Sequence, residues 1–389
     1  MDNIIYLDNA STTHVSSEVL QEMLPVFTSS YGNAGSLHQM GREALALVER
    51  ARVRVAKAIG ADASEIYFTS GATEANNLAI IGIALANKEK GNHIITSQIE
   101  HPSVLNACKK LEEMGFKVTY LPVDEHGMVS IAKLLDAISK ETILVSIMAA
   151  NNEVGTIQNI RTIAKIAHDK DVYFHTDATQ AIGSVSINVK NMGIDSLSLS
   201  AHKIYGPKGV GALYIKNGIE CQNLTFGGEQ EKHLRAGTVN VAGVVGLGKA
   251  IEIASRDMFD NVQKVKFLRE YLIRGIKANI EGIKLNGHPL QRLCGNVNIS
   301  FECIEGESIL LLLDEAGICV STGSACTSTS LDPSHVLTAM NVPADLAQGS
   351  IRFSIGKNNT KMEMDYVIQQ LKKVVDRLRE ISPIRRKRS

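Results

Sequence analysis

The sequence predicts an α/β protein, with a large domain on a mostly parallel mixed sheet and a smaller α+β domain after it. Three observations carry this. The 389 residues, at about 150 per domain, provide for roughly two to three domains or one large domain with a satellite. From residue 65 to 216, short β-branched or apolar runs alternate with amphipathic stretches, the rhythm of strands joined by helices that cover both faces of a sheet. After Asn261 that rhythm gives way to long helices and few strands.

Taken in order, the expected strands of the first region are EIYFTS, HIITS, KVTYLPV, TILVSIMAA, DVYFHTDA, SLSLSA and GALYIK, with helices such as PSVLNACKKLEEMG and NIRTIAKIAHDK between them. The second region reads as the helix VQKVKFLREYLIRGIKANI, the strand NVNISF, the helix GESILLLLDEAG, the strand SIRFSIG and a last helix ending near Ile381. The expected domains are 16–260 for the larger, and 1–15 with 261–389 for the smaller, which places a site at their junction. The tail IRRKRS reads as a frayed, solvated end rather than a docking patch.

Composition excludes several functions. Lys+Arg 41 against Asp+Glu 41 leaves no net charge to attract nucleic acid or an anionic membrane. The longest apolar runs, from Leu78 to Ala86 and from Ile309 to Leu313, fall short of the ~20 residues needed to span a bilayer. MDNIIYLDNAS has neither a basic n-region nor an apolar h-region, so a cytoplasmic location is expected. The six cysteines (Cys108, Cys221, Cys294, Cys303, Cys319, Cys326) include no CxxC pair, which argues against a disulfide framework or a zinc ribbon.

Several segments can carry chemistry. Ser70-Gly71-Ala72-Thr73 follows a strand and opens a helix, where exposed N–H groups suit a phosphate, although from this segment alone an ordinary capped turn is the better reading. GVVGLGKA, from Gly243, has the spacing of a nucleotide loop but Ala250 where a hydroxyl should stand, and reads better as part of one small-residue helix. Asp177 ends the strand DVYFHTD at the sheet edge where α/β proteins bind ligands. Lys203 closes SLSLSAHK, and a lysine ending an apolar strand must be paired or deprotonated, the condition of a Schiff-base nucleophile. A phosphate cup, an Asp for a pyridinium nitrogen and a downstream Lys together fit pyridoxal phosphate. His101 would reach the same edge, as an acid–base or ring-stacking group or as a helix cap. Cys326 sits among small polar residues that offer no apolar face, so it reads as an exposed nucleophile rather than a core filler. Arg352, alone among the apolar neighbours of SIRFSIG, suits either a buried ion pair or a bidentate grip on a carboxylate.

With these residues in place, the chain resembles the cysteine desulfurases of the NifS/IscS family, pyridoxal-phosphate enzymes of the aspartate-aminotransferase fold (fold type I). The resemblance runs from YLDNASTT to the final helix through SGATEANN, EHPSV, NNEVGTIQ, HTDATQAIG, SLSAHKIYGPKGVGALY, RAGTVNV and GSACTS. The long loop 321–336 resembles the IscS-like group. The resemblance implies that Lys203 bonds the cofactor with Ser200 and His202 beside it, and that Ser200, Thr73 and the Ala72 amide hold the phosphate. It places Asp177 on the pyridine nitrogen, His101 over the ring, and Gln180 and Asn152 near the ring hydroxyl or the substrate. Arg352 should bind the substrate carboxylate with Asn33 and Asn152 nearby. Thr238 should reach the neighbouring subunit's phosphate, hence a homodimer, and Cys326 should become the persulfide. Two positions depart from the pattern: the usual GNPSS is Gly32-Asn-Ala-Gly-Ser36, and Cys294 replaces a proline.

The activity implied is removal of sulfur from L-cysteine, giving L-alanine and a persulfide on Cys326 that an iron–sulfur scaffold protein accepts. No metal of the enzyme's own is implied, Cys326 being available as a shared ligand to the scaffold's cluster. Selenocysteine lyase or another aminotransferase or lyase of the same fold is the alternative enzyme reading. A non-enzymatic cluster or sulfur carrier is disfavoured by the scattered cysteines.

Overall fold

The computed structural model describes residues 4–322 and 333–382, so Cys326 and the basic tail lie outside the described residues. The expected strands of the first region form one seven-stranded sheet. In chain order they are β2 (Ile66–Thr69), β3 (His93–Ser97), β4 (Lys117–Leu121), β5 (Thr142–Ser146), β6 (Tyr173–Asp177), β7 (Ser196–Ser200) and β8 (Gly211–Ile215). Their order across the sheet is β2-β8-β7-β6-β5-β3-β4. Only β8 runs antiparallel to its neighbours; the other pairings are parallel.

Both faces of this sheet are covered, which explains why β3, β5, β7 and β8 are buried along their whole length. In β7 the alternation SLSLS would suggest a half-exposed strand, yet its serines are buried too. Leu197 and Leu199 enter the core, while Ser198 Oγ lies 3.1 Å from His175 Nε2 on the next strand. The helix Val241–Arg256 is continuous, as its small residues predict. It packs closely on the helix Gln39–Ile59: a Cβ on Gly248 would come within 2.7 Å of Ala51 Cα. These glycines serve helix contact, not nucleotide binding.

The smaller unit has an antiparallel sheet of order β12-β13-β10-β9, formed by β9 (Ile283–Asn286), β10 (Asn296–Phe301), β12 (Ser321–Thr322) and β13 (Ser350–Ser354). The N-terminal β1 (Ile5–Tyr6) pairs in parallel with β11 (Ile318–Cys319), and Ile5 and Leu7 join the core formed with the helices Met258–Asn279, Gly306–Glu315 and Lys361–Ile381. The stretch beyond residue 333 crosses back, however. Val336, Leu337, Met340, Val342 and Ala347 pack into the large core, because the helix His335–Ala339 presents its apolar face there. No helix of the described residues is long and apolar enough to cross a membrane.

Candidate active site

The C-terminal ends of β2, β3, β5, β6 and β7 all meet one edge of the large sheet, the edge at which α/β proteins bind ligands. A cleft of about 600 Å³ opens there. Its walls include Ala72, Thr73, His101, Asn152, Asp177, Gln180, Ser200, His202, Lys203 and Arg352. The antiparallel β8 begins beside the cup: a Cβ on Gly211 would lie 2.8 Å from the Gly71 Cα, so only glycine lets strand and cup meet.

Asp177, the last residue of β6, is buried, and each of its oxygens has a donor. Thr179 N donates to Oδ1 at 2.9 Å and Asn76 Nδ2 to Oδ2 at 2.7 Å. Lys203 follows β7 and directs Nζ at the carbonyls of Ala10 and Ser11, both at 2.6 Å. Those carbonyls belong to the N-terminal stretch, which Gln180 Nε2 also holds by donating to Ala10 O at 2.9 Å. His202 Nδ1 lies 3.1 Å from Thr12 Oγ1. Burial and the charges of Lys203 and Lys208 push the His202 imidazole down to about 4, so it is neutral at physiological pH. Burial also lowers His101; Lys203 and His335 act in the same direction and Asp177 opposes them.

His101 is at once a cap and a wall of the cleft. Its Nδ1 accepts the Ser103 N–H at 3.1 Å, capping the helix Pro102–Glu113, while the residue also lines the cleft. Arg352 reaches the cleft from β13. Its Nη1 donates to Asn152 O at 3.1 Å, and its Nη2 to Asp8 Oδ1 at 2.9 Å and Ser11 Oγ at 2.6 Å.

Two expected residues, Asn33 and Thr238, lie outside the cleft of their own chain, as the resemblance implies for Thr238. Asn33 is exposed and does not line the cleft; its Oδ1 turns into its own loop and accepts the Gly35 N–H at 2.9 Å, a local turn contact. Thr238 is exposed and does not line the cleft of its own chain. Residues that the sequence reading left without a role also enter the site. Ala10, Ser11 and Thr12 from YLDNASTT, and Ser103 from EHPSV, line the cleft, while Asn76 from SGATEANN is buried behind it. Glu153 of NNEVGTIQ, also buried, holds Ser334 at the start of the helix that follows the described gap.

The family described as Aminotransferase class-V matches residues 5–367. The chain belongs to the class-V aminotransferase family. Within it, the chain is 55% identical over 386 residues to a protein of Clostridium botulinum named cysteine desulfurase IscS, covering 99% of this chain and 97% of that one. A solved structure titled NifS-like protein superposes with a TM-score of 0.92 at 40% identity, covering 97% of this chain and all of that one. A third relative, described as SspA in complex with cysteine, gives a TM-score of 0.79 at 38% identity over 92% of this chain and all of that one.

Class-V aminotransferases of this kind are pyridoxal-phosphate enzymes, and the cleft fits that cofactor. The first turn after Gly71 offers N–H groups at a helical run that continues to Ala86, next to the Thr73 and Ser200 hydroxyls. Two polar atoms buried in the wall, Thr179 Oγ1 and Arg352 Nε, have no hydrogen-bond partner in the protein. Orphaned donors of this kind at a cleft surface suit a polar ligand.

Proposed function

We propose that this cleft removes sulfur from L-cysteine, releasing L-alanine and leaving the sulfur on Cys326. Cysteine desulfuration is the activity named for relatives 52–55% identical over nearly the full chain. What carries the reading to these residues is the placing of Lys203, Asp177 and Arg352 around one cleft, although they come from the stretch after β7, the end of β6 and the middle of β13.

When bound, pyridoxal phosphate supplies an electron sink for the bonds broken at the substrate carbons. Ala72, Thr73 and Ser200 would hold its phosphate with His202 beside them, Lys203 its aldehyde carbon and Asp177 its ring nitrogen, with Gln180 and Asn152 at the ring hydroxyl or substrate. Arg352 grips the substrate carboxylate through its guanidinium, pre-oriented by Asp8 and Ser11. The Lys203 amine, once neutral, takes the α-proton of L-cysteine at Nζ and later returns a proton to carbon. His101 would stack on the ring. The Cys326 thiolate attacks the substrate sulfur: a sulfur–sulfur bond forms as the carbon–sulfur bond breaks, and the electron pair stays with the carbon that becomes the alanine methyl.

We place the enzyme as a homodimer in the cytoplasm, delivering sulfur to an iron–sulfur scaffold protein. The exposed Thr238, away from its own cleft, supports a partner-facing role, and Leu20, Leu24, Phe27 and Tyr31 expose apolar surface on and just after one helix. All five described cysteines are unpaired, which suits a reducing compartment.

Anaerobic incubation with L-cysteine, followed by alanine assay and peptide mass analysis, tests the reading. Alanine together with one added sulfur on Cys326 is the expected result. Full alanine production by a Cys326→Ala enzyme would overturn the nucleophile assignment.

A further inference from the structure

We propose that Asn76 is a positioning residue whose amide holds Asp177 and, through the Ser103 hydroxyl, fixes the proton of His101 on Nε2. The proposal rests on the reading of His101 and Asp177 as cofactor contacts. Its geometry is a continuous chain of short contacts. Asn76 Nδ2 donates to Asp177 Oδ2 at 2.7 Å and to Ser103 Oγ at 2.9 Å. Ser103 Oγ lies 2.8 Å from His101 Nδ1, and Ser103 N–H donates to the same nitrogen at 3.1 Å.

The direction of each bond follows from the donors available. Turning the Asn76 amide over would set its oxygen against the Asp177 carboxylate, so the Nδ2 group must face Asp177 and Ser103. The Ser103 hydroxyl then accepts from Asn76, and its single proton goes to His101 Nδ1. A backbone N–H cannot point at a protonated nitrogen, so the Ser103 N–H also requires a lone pair on Nδ1. Two donors thus converge on Nδ1, and the ring carries its proton on Nε2, at the cleft.

Asn76 shows that this arrangement is held against a cost. The residue is fully buried, and its Oδ1 has no hydrogen-bond partner. An unsatisfied buried carbonyl is unfavourable, and a merely structural asparagine would turn to satisfy it. Here both N–H groups are committed to Asp177 and Ser103, and the oxygen is left over. The charged or titratable groups around His101 are Asp177 on β6, Lys203 after β7 and His335 on the helix His335–Ala339. None of them supplies the Nδ1 contact, so the tautomer depends on Ser103 and Asn76.

The test is nitrogen NMR of the holoenzyme labelled with 15N-histidine, with the His101 signals assigned by His101→Gln. Wild type should show an unprotonated Nδ1 and a protonated Nε2. In Ser103→Ala the hydroxyl donor is gone, so the His101 titration midpoint should rise, and kcat should fall about tenfold with KM nearly unchanged. Ser103→Thr should restore both. Asn76→Ala, which leaves the hydroxyl but frees its orientation, should move the midpoint less, in the same direction. A His101 midpoint that stays at its wild-type value in both Ser103→Ala and Asn76→Ala would overturn the proposal. The nitrogen signals do not depend on which substrate is turned over, so failure of the desulfurase reading would show separately, as absence of alanine from wild type.

Discussion

Arg352 Nη2 donates to Asp8 Oδ1 at 2.9 Å across 344 positions of sequence, joining the last strand of the small sheet to the N-terminal stretch that lines the cleft. The same stretch receives Lys203 Nζ through Ala10 O and Ser11 O. Lys203 and Arg352 are therefore both oriented by one short segment, residues 8–12, which belongs to neither the cup nor the strand ends.

This arrangement makes Arg352→Lys informative. A lysine keeps the charge but cannot reach Asn152 O, Asp8 and Ser11 together from one planar fork. KM for L-cysteine should rise about tenfold or more, with kcat changed much less, as expected where uniform binding of a carboxylate is lost. Steady-state kinetics measure the split. A fall in kcat at constant KM would move the carboxylate site elsewhere.

Lys203→Ala should remove the cofactor's covalent anchor and lower turnover by about a thousandfold or more. It also takes away the donor to Ala10 O and Ser11 O, so backbone amides of residues 10–12 should exchange hydrogen faster than in wild type. Amide exchange on the cofactor-free protein separates the two effects, since that loss needs no cofactor.

Much of this was legible in the sequence because the chemistry-bearing residues break local patterns. Lys203 and Asp177 put charge at the ends of apolar strands, and both line the cleft. The missed residues lack such a signal. Asn76 and Asn77 are adjacent in the helix Ala72–Asn77, and only the packed fold decides that Asn76 faces Asp177. Asn33 lies outside the cleft of its own chain, its side chain accepting the Gly35 N–H within its own turn. Glu100 and Glu153 receive no role from the sequence, since their burial depends on contacts with Ser334 and His335 that lie 181 or more positions away. The pairing of β1 with β11 spans most of the chain, and two-residue strands carry no periodicity.

Those buried acids predict how stability depends on pH. Burial pushes Glu100 up to about 8, with the Ser97 hydroxyl and the Met148 N–H opposing the rise, and pushes Glu153 up to about 7. The unfolded chain ionises both at ordinary carboxylate values, while the folded protein keeps them protonated. Their contribution is therefore fully present below the unfolded value and is lost as pH rises through 7 for Glu153 and 8 for Glu100. From the ordinary carboxylate value up to about 7 for Glu153 and about 8 for Glu100, each should lower stability by roughly 1.4 kcal/mol per pH unit. Glu100→Gln keeps the shape and removes one titration, so urea melts of the variant across that range should show a shallower decline than wild type.

A last prediction concerns the loop that leads to Thr238. Glu231, Lys232 and His233 all have left-handed backbones, with φ of 46°, 56° and 68°, an unfavourable run for residues with side chains. The Glu231 carboxylate holds it in place: Arg52 donates to it at 2.8 and 2.9 Å, and Phe68 N donates at 2.8 Å, all in the interior. Glu231→Ala leaves the buried Arg52 with only the half-exposed Glu49 as a charged partner and frees the strained run, at a cost of about 3 kcal/mol. A lower Tm should follow. Further along the loop, Arg235 Nε donates to Glu74 Oε1 at 2.8 Å, and the other oxygen of Glu74 accepts the Ser70 N–H at 2.7 Å, which ties the loop to the cup. Arg235→Ala breaks that tie at a half-buried position, where an ion pair contributes little to stability. It should weaken pyridoxal-phosphate binding while leaving Tm of the cofactor-free protein within a few degrees of wild type. Calorimetry of the two cofactor-free variants beside cofactor titration tells the effects apart, because only a loop that shapes the cup can lose affinity without losing stability.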